Sequence, residues 1–162
     1  MRGVIEDGRL FTDRLYIEPM TEKEMEKLIE EAQLIDPEMA QAYGEMLSGC
    51  RGEPKLYDWY AALKICLKNS GEMIGDACFK GFPESGRPEI GYGIDEKFQG
   101  RGYATEAVKA LCAWAFTQPG VKGVEAETDP ENEKSKRVLF KCGFLPTGEV
   151  GKEGPRFALE KI

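Results

Sequence analysis

The chain contains no histidine. That absence removes Ser-His-Asp and Cys-His catalysis, His-ligated zinc and any imidazole acid or base. A proton shuttle here must use carboxylates, tyrosine, hydroxyls, thiols or water. Cysteine is sparse and odd in number: Cys50, Cys66, Cys78, Cys112 and Cys142, with no C-x-x-C. Such spacing fits neither a disulfide framework nor a metal site, so no metal is expected. Cys66, Cys78 and Cys112 sit among apolar neighbours and read as small core side chains. With no histidine to serve as its partner base, a thiol nucleophile is not favoured. No apolar run approaches the ~20 residues that span a bilayer. The stretch Met1-Arg2-Gly3-Val4-Ile5-Glu6-Asp7 has no apolar leader region, so the expected location is cytoplasmic. Positive charge is also short, leaving a formal net charge of −7. An acidic surface repels nucleic acid and anionic membranes, and neither is expected as a partner. It suits a cationic amine substrate, and equally suits plain solubility.

What is present is enough for one domain over residues 1–162. Two domains would leave each half with a marginal core. Leu15-Tyr16-Ile17-Glu18 reads as a first strand ended by Pro19. Thr21 with Glu24 makes a capping box for a helix carrying Met25, Leu28 and Ile29. Pro37 opens a second helix to about Leu47, and 49–54 reads as a loop. Residues 60–67 and 73–80 read as a hairpin around Asn69-Ser70-Gly71-Glu72. A loop over 81–88 leads to a short strand at 89–94. A helix follows at 104–118, a strand at 124–128, a helix at 132–142, and closing strands at 144–150 and 157–162. The fold class is mixed α/β, with antiparallel and crossover connections.

The informative segment is Gln99-Gly100-Arg101-Gly102-Tyr103-Ala104. A glycine turn that opens a helix presents unpaired amides at the positive end of the helix dipole, where a pyrophosphate can sit. The alternative is a glycine loop with no ligand. A Rossmann turn lacks its third small residue in register, and the chain before it looks like a hairpin rather than a first βαβ unit. A P-loop is excluded because Thr105-Glu106 stands where Lys-Ser/Thr is required.

Residues 99–104 resemble the Q-x-x-G-x-G/A loop of GNAT acetyltransferases. Glu89-Ile90-Gly91-Tyr92-Gly93-Ile94 resembles the family's splayed strand, and Glu106-Ala107 continues its usual helix start. The block from Asn132 through Ser135, Arg137, Val138, Leu139 and Lys141 to Gly143-Phe144 resembles that of the ribosomal-protein alanine N-acetyltransferase branch. The resemblance extends from about Arg14 onward. It implies the GNAT fold, a central mixed twisted sheet flanked by helices. It also implies acetyl-CoA as co-substrate and an amine acceptor, with homodimers frequent among relatives. By this resemblance the pantetheine arm runs beside Gly93 and Ile94. The amides of Gln99, Gly100, Arg101, Gly102, Tyr103 and Ala104 hold the pyrophosphate, with Arg101 either adding charge or standing in solvent. Asn132 is similar to the asparagine that bonds the cofactor.

The implied reaction needs a neutral amine. An α-amino group, with a reference pKa of about 7.7–8, is closer to that state than lysine at about 10.4. Glu89 is the first candidate base, and its alternative is a solvent-facing strand carboxylate. Glu127 is the second. A strand amide near Ile94 can receive the oxyanion. Many GNATs carry a tyrosine acid seven residues after the asparagine; this chain has Leu139 there. Ser135 is the remaining candidate acid, or else a helix-capping or backbone-bonding hydroxyl. The loops 34–57 and 81–88, with Asp36, Glu38, Glu45, Glu53, Asp58 and Glu84, are expected to line the acceptor side. Trp59, Tyr60 and Phe82 either shape that pocket or fill the core. A non-catalytic acyl-CoA sensor of the same fold is the alternative function.

Overall fold

A computed structural model describes residues 4–6 and 8–162, with side chains from residue 8 onward. The leader-free reading of residues 1–7 therefore falls partly outside the described residues. Six strands follow in chain order as one antiparallel sheet: β1 (Val4–Glu6), β2 (Arg9–Phe11), β3 (Leu15–Pro19), β4 (Leu63–Leu67), β5 (Met73–Cys78) and β6 (Gly91–Ile94). A second antiparallel sheet has the order β7 (Gly123–Glu127), β9 (Pro155–Glu160), β8 (Leu145–Val150). One isolated parallel bridge, Glu89 with Glu125, joins the two sheets.

Between β3 and β4 lie α1 (Glu22–Ile35), α2 (Pro37–Gly52) and the short α3 (Tyr57–Tyr60). The Thr21–Glu24 capping box forms as its sequence predicts. Pro37 occupies the first turn of α2, with Asp36 as its cap. Beyond the glycine turn come α4 (Tyr103–Phe116) and α5 (Glu133–Lys141).

The main core lies between the first sheet and α4. Leu15, Ile17, Ile65, Ile74, Phe79 and Ile90 meet Ala107, Val108, Leu111 and Ala115, all nearly inaccessible to water. Full burial of such aliphatic side chains contributes roughly 1.5–3 kcal/mol each. A smaller core gathers Met20, Met25, Tyr43, Leu47 and Cys50 with Ala61 and Ala62.

Several expectations need correction. α2 continues to Gly52, so 49–54 is not a loop. Cys50 is buried in the smaller core, and Gly49 lets the helix lie against the Tyr60 ring, with which a Cβ would collide. Tyr60 ends α3 rather than starting a strand. The cause is Trp59, which is buried against Phe79, Phe82 and Trp114 with ring centroids 4.8–5.0 Å away, so Trp59 and Phe82 fill the core. β1 and β2 carry too few residues to show a period.

Candidate active site: an open strand edge and a glycine turn

β6 and β7 start together and then part. The Ile90 amide donates to the Glu125 carbonyl (2.8 Å), and the Glu125 amide to the Pro88 carbonyl (2.9 Å). Past Ile90, β6 pairs only with β5 and β7 only with β9. The alternation of main-chain groups fixes what faces the gap. Ile90 points its amide toward β7, whereas Asp95 donates to Ile74 on the β5 side (2.8 Å). With a period of two, Tyr92 and Ile94 turn their amides and carbonyls into the gap, and Gly93 turns its own toward Asp76 of β5. Of the two expected residues, Ile94 therefore offers backbone to the gap. Gly93 offers an empty floor instead: a Cβ there would meet nothing within 4 Å.

At the far end of β6 the chain makes the glycine turn. Gly100 (φ 78°) and Gly102 (φ 83°) both occupy the left-handed region. Gly102 is the N-cap of α4 and no side chain caps that end, so the amides of Tyr103, Ala104 and Thr105, ahead of the first helical bond from Glu106 to Gly102, are left for a ligand. The Gln99 side chain folds back, its Nε2 donating to the Ile94 carbonyl (2.8 Å). Lys134 of α5 brings its ammonium to 3.5 Å from Gln99 Oε1. Unpaired amides, two side-chain-free positions and a nearby cation fit a pyrophosphate.

The turn is braced by Thr12 and Arg14, in the segment that leads into β3, and by Glu106 of α4. Arg14 donates to the Arg101 carbonyl (2.9 Å) and lies over the Tyr103 ring, 4.3 Å from its centroid. Arg14 is in turn held by Glu106, whose carboxylate accepts from the Arg14 amide (2.9 Å), the Arg14 Nε (2.7 Å) and the Thr12 hydroxyl. Burial pushes the Glu106 carboxyl up, but the Thr12 and Arg14 hydrogen bonds outweigh it and hold the group below the usual carboxylate range. In sequence, Glu106 is marked only as the one acidic residue of a largely apolar helix.

Across the gap, the Asn132 side chain caps α5, accepting from the Ser135 amide (3.0 Å). The Ser135 hydroxyl meets the Tyr92 hydroxyl at 3.0 Å. Burial, partly opposed by the Ser135 hydrogen bond, raises the Tyr92 phenol above its ordinary value. Leu139 is a fully buried core residue.

On the opposite face of β6, Glu89 is doubly paired: Oε2 with Lys80 (2.5 Å) and Oε1 with Arg156 (3.1 Å). Arg156 also binds Glu125 (2.9 Å) and Glu127 (2.6 Å). Glu127 accepts from the Glu153 amide as well, and that bond, with Arg156, holds its carboxyl below the usual range. Four of the five cysteines are buried and Cys142 is half-buried. Burial raises the Cys50 and Cys142 thiols to about 11.

A sheet that splits at one strand pair, with a glycine turn opening a helix at the split, defines the GNAT fold. Residues 14–145 match the acetyltransferase (GNAT) domain family, and the chain belongs to it. The uncharacterized N-acetyltransferase p20 of Bacillus licheniformis is 36% identical over 85 residues, 52% of this chain and 48% of that protein. The matched segment thus spans about half the length of that relative. Among solved structures, the ribosomal-protein-S5-alanine acetyltransferase of Vibrio fischeri aligns with a TM-score of 0.72 at 18% identity, over 96% of this chain and 97% of that one. RimL, a ribosomal L7/L12 α-N-protein acetyltransferase solved with coenzyme A, aligns with a TM-score of 0.67 at 20% identity, over 92% and 95%. Among the described residues no helix is long and apolar enough to cross a membrane.

Proposed function

We propose that the chain is a cytoplasmic N-acetyltransferase, one GNAT domain over residues 1–162, that moves the acetyl group of acetyl-CoA to a primary amine. The acceptor is a peptide or protein N-terminus or a small-molecule amine. The observation that carries this reading is the open main-chain edge at Tyr92 and the Ile94 amide, followed after the glycine turn by the uncapped start of α4. When bound, acetyl-CoA supplies an acetyl group activated as a thioester. The 100–104 amides and Lys134 hold the diphosphate, the Gln99 amide being bonded to the Glu96 carbonyl, and the Tyr92 and Ile94 main chain aligns the arm. A gap-facing strand amide steadies the oxyanion. Ser135, hydrogen-bonded to Tyr92, passes its hydroxyl proton to the leaving thiolate and regains one from water. Glu89 accepts the amine proton by exchanging one of its ion-pair contacts for the amine or a bridging water.

Coenzyme A is expected to raise Tm while NAD and ATP do little. At a hundredfold excess over Kd the gain is about 2.7 kcal/mol. No shift at millimolar coenzyme A would remove the cofactor assignment. Thiol release from acetyl-CoA with peptides, polyamines, amino acids and aminoglycosides then identifies the acceptor. The engagement of both Glu89 oxygens favours one rival, an acyl-CoA sensor; stabilisation by coenzyme A without thiol release across the panel would select it.

A further inference from the structure

Building on the acetyltransferase reading, we propose that Asp76, held in place by Tyr43, is the carboxylate that receives the ammonium group of the acceptor amine. Register places it. Glu18, Lys64, Asp76 and Gly93 are successive cross-strand partners on β3, β4, β5 and β6. Directly opposed residues point to the same face of a sheet. That face is the one covered by α1 and α2, because Lys64 reaches Glu24 of α1 (2.8 Å) and Tyr43 of α2 donates its hydroxyl to Asp76 Oδ2 (3.0 Å).

The row ends in empty space. Gly93 has no neighbour within 4 Å of where a Cβ would stand, so Asp76 borders an open volume beside the strand that lines the gap. An amine that approaches the gap from the α1–α2 side passes over Gly93 and meets this carboxylate.

The charge around Asp76 is incomplete. Lys64, its cross-strand partner, gives its ammonium to Glu24 and to Glu18 (3.2 Å) instead. Among the described residues Asp76 has no cationic partner. Burial pushes its carboxyl up, the Tyr43 hydrogen bond pulls the other way, and the negative charge of Asp95 adds to the rise. A half-buried carboxylate with a second carboxylate nearby and only a neutral donor gains from an incoming cation. The Tyr43 bond engages Oδ2 and leaves Oδ1 to the ligand. Tyr43 is thus a positioning residue. Glu89, two residues before Gly91 on the same face, already has its cations.

The test is a binding measurement. The ¹⁵N-labelled protein, with and without saturating coenzyme A, is titrated with n-butylammonium and separately with n-butanol, and the Gly91 and Gly93 amides are followed by NMR. A saturable shift at Gly93 is expected with the ammonium and not with the alcohol. Asp76→Asn, nearly the same shape, is expected to weaken it at least about tenfold, the value of one charge-assisted hydrogen bond. Tyr43→Phe should weaken it less. Equal ammonium affinity in Asp76→Asn, or saturation with no change at Gly93, overturns the proposal. If Asp76→Asn does not fold, the ammonium–alcohol comparison on the parent and the Tyr43→Phe titration decide. Asp76-dependent ammonium binding in a protein that releases no thiol would refute the transferase reading and keep the site. Thiol release with an acceptor KM unchanged in Asp76→Asn would do the reverse.

Discussion

The two faces of β6 are made differently. Toward α4 and α5 the strand presents Ile90, buried, and Tyr92, bonded to Ser135. Toward α1 and α2 it presents Glu89, Gly91 and Gly93, a charge, a glycine lying against Cys78 and Lys80, and one empty position at Gly93. The first face is packed, and the ligand-facing groups beside it are main chain except for the Tyr92 and Ser135 hydroxyls. The second is open, and every group that can touch a ligand is a side chain held by another side chain. Main-chain groups are placed by the fold itself, whereas an ion-paired carboxylate depends on partners from distant strands, here β9 and the segment after β5. The cofactor side should therefore respond mainly to backbone-directed changes, and the acceptor side to single-atom changes in charge.

Glu89→Gln is the strongest challenge to that contrast. If Glu89 is the base, kcat/KM is expected to fall by roughly 10²–10⁴-fold. Affinity for coenzyme A, measured separately by calorimetry, should stay at the parental value. The deficit should shrink as pH rises and more amine is neutral without help. Parental rates across the neutral range would leave Glu89 a structural partner of Lys80 and Arg156.

Gly102→Val probes the main-chain side. A β-branched residue at a positive φ costs about 1–3 kcal/mol, and its Cβ would stand 3.3 Å from the Arg14 guanidinium. Coenzyme A affinity should drop by about tenfold or more, with a smaller change in Tm. Unchanged affinity in a folded variant would show that the turn does not hold the diphosphate.

Glu106→Gln sharpens the comparison, because here a side chain props up the main-chain site. Loss of a charged, hydrogen-bonded acceptor is expected to cost about 1.5–3 kcal/mol of stability. The folded Glu106 carboxyl titrates below its unfolded value, so its contribution is present above the ordinary carboxylate range and is lost as pH falls through the folded value. The gap in Tm between parent and variant should be full at neutral pH and close in acid. A gap that does not vary with pH would mean the hydroxyl and amide contacts, and not the charge, hold the turn.

Ser135→Ala carries the smallest expected effect. A thiolate is a good leaving group, so about tenfold in kcat is expected rather than the full range of acid catalysis. Tyr92→Phe should resemble it if the two hydroxyls act together, and double-mutant cycles measure their coupling.

The sequence disclosed these two sides unequally. The glycine turn, the capping box at Thr21 and Glu24 and the helix from Tyr103 are local signals, set by residues a few positions apart, and each folds as its spacing predicts. The brace from Arg14 to Glu106 joins residues 92 positions apart. The ring of carboxylates on Arg156 spans from Glu89 to β9, and no local pattern encodes such pairs. The resemblance implies backbone contact at both Gly93 and Ile94, and only the register with β5 tells which of them faces the open edge. The aromatic run at Tyr57–Tyr60 suits either period, and burial of Trp59 decides for a helical turn.

The Cys142 thiol, half-buried, makes a 3.6 Å contact with the Thr105 carbonyl in the first turn of α4, and so links α5 to the helix that receives the cofactor. Its raised pKa makes it slow to alkylate while that contact is closed. Labelling by iodoacetamide then becomes a clock for separation of α4 and α5, with the more deeply buried Cys112 as an internal standard for wider unfolding. Under conditions of rapid reclosing, the ratio of the two rates reads the free-energy difference between local and global opening. A bound cofactor that spans the cleft should slow the first clock more than the second.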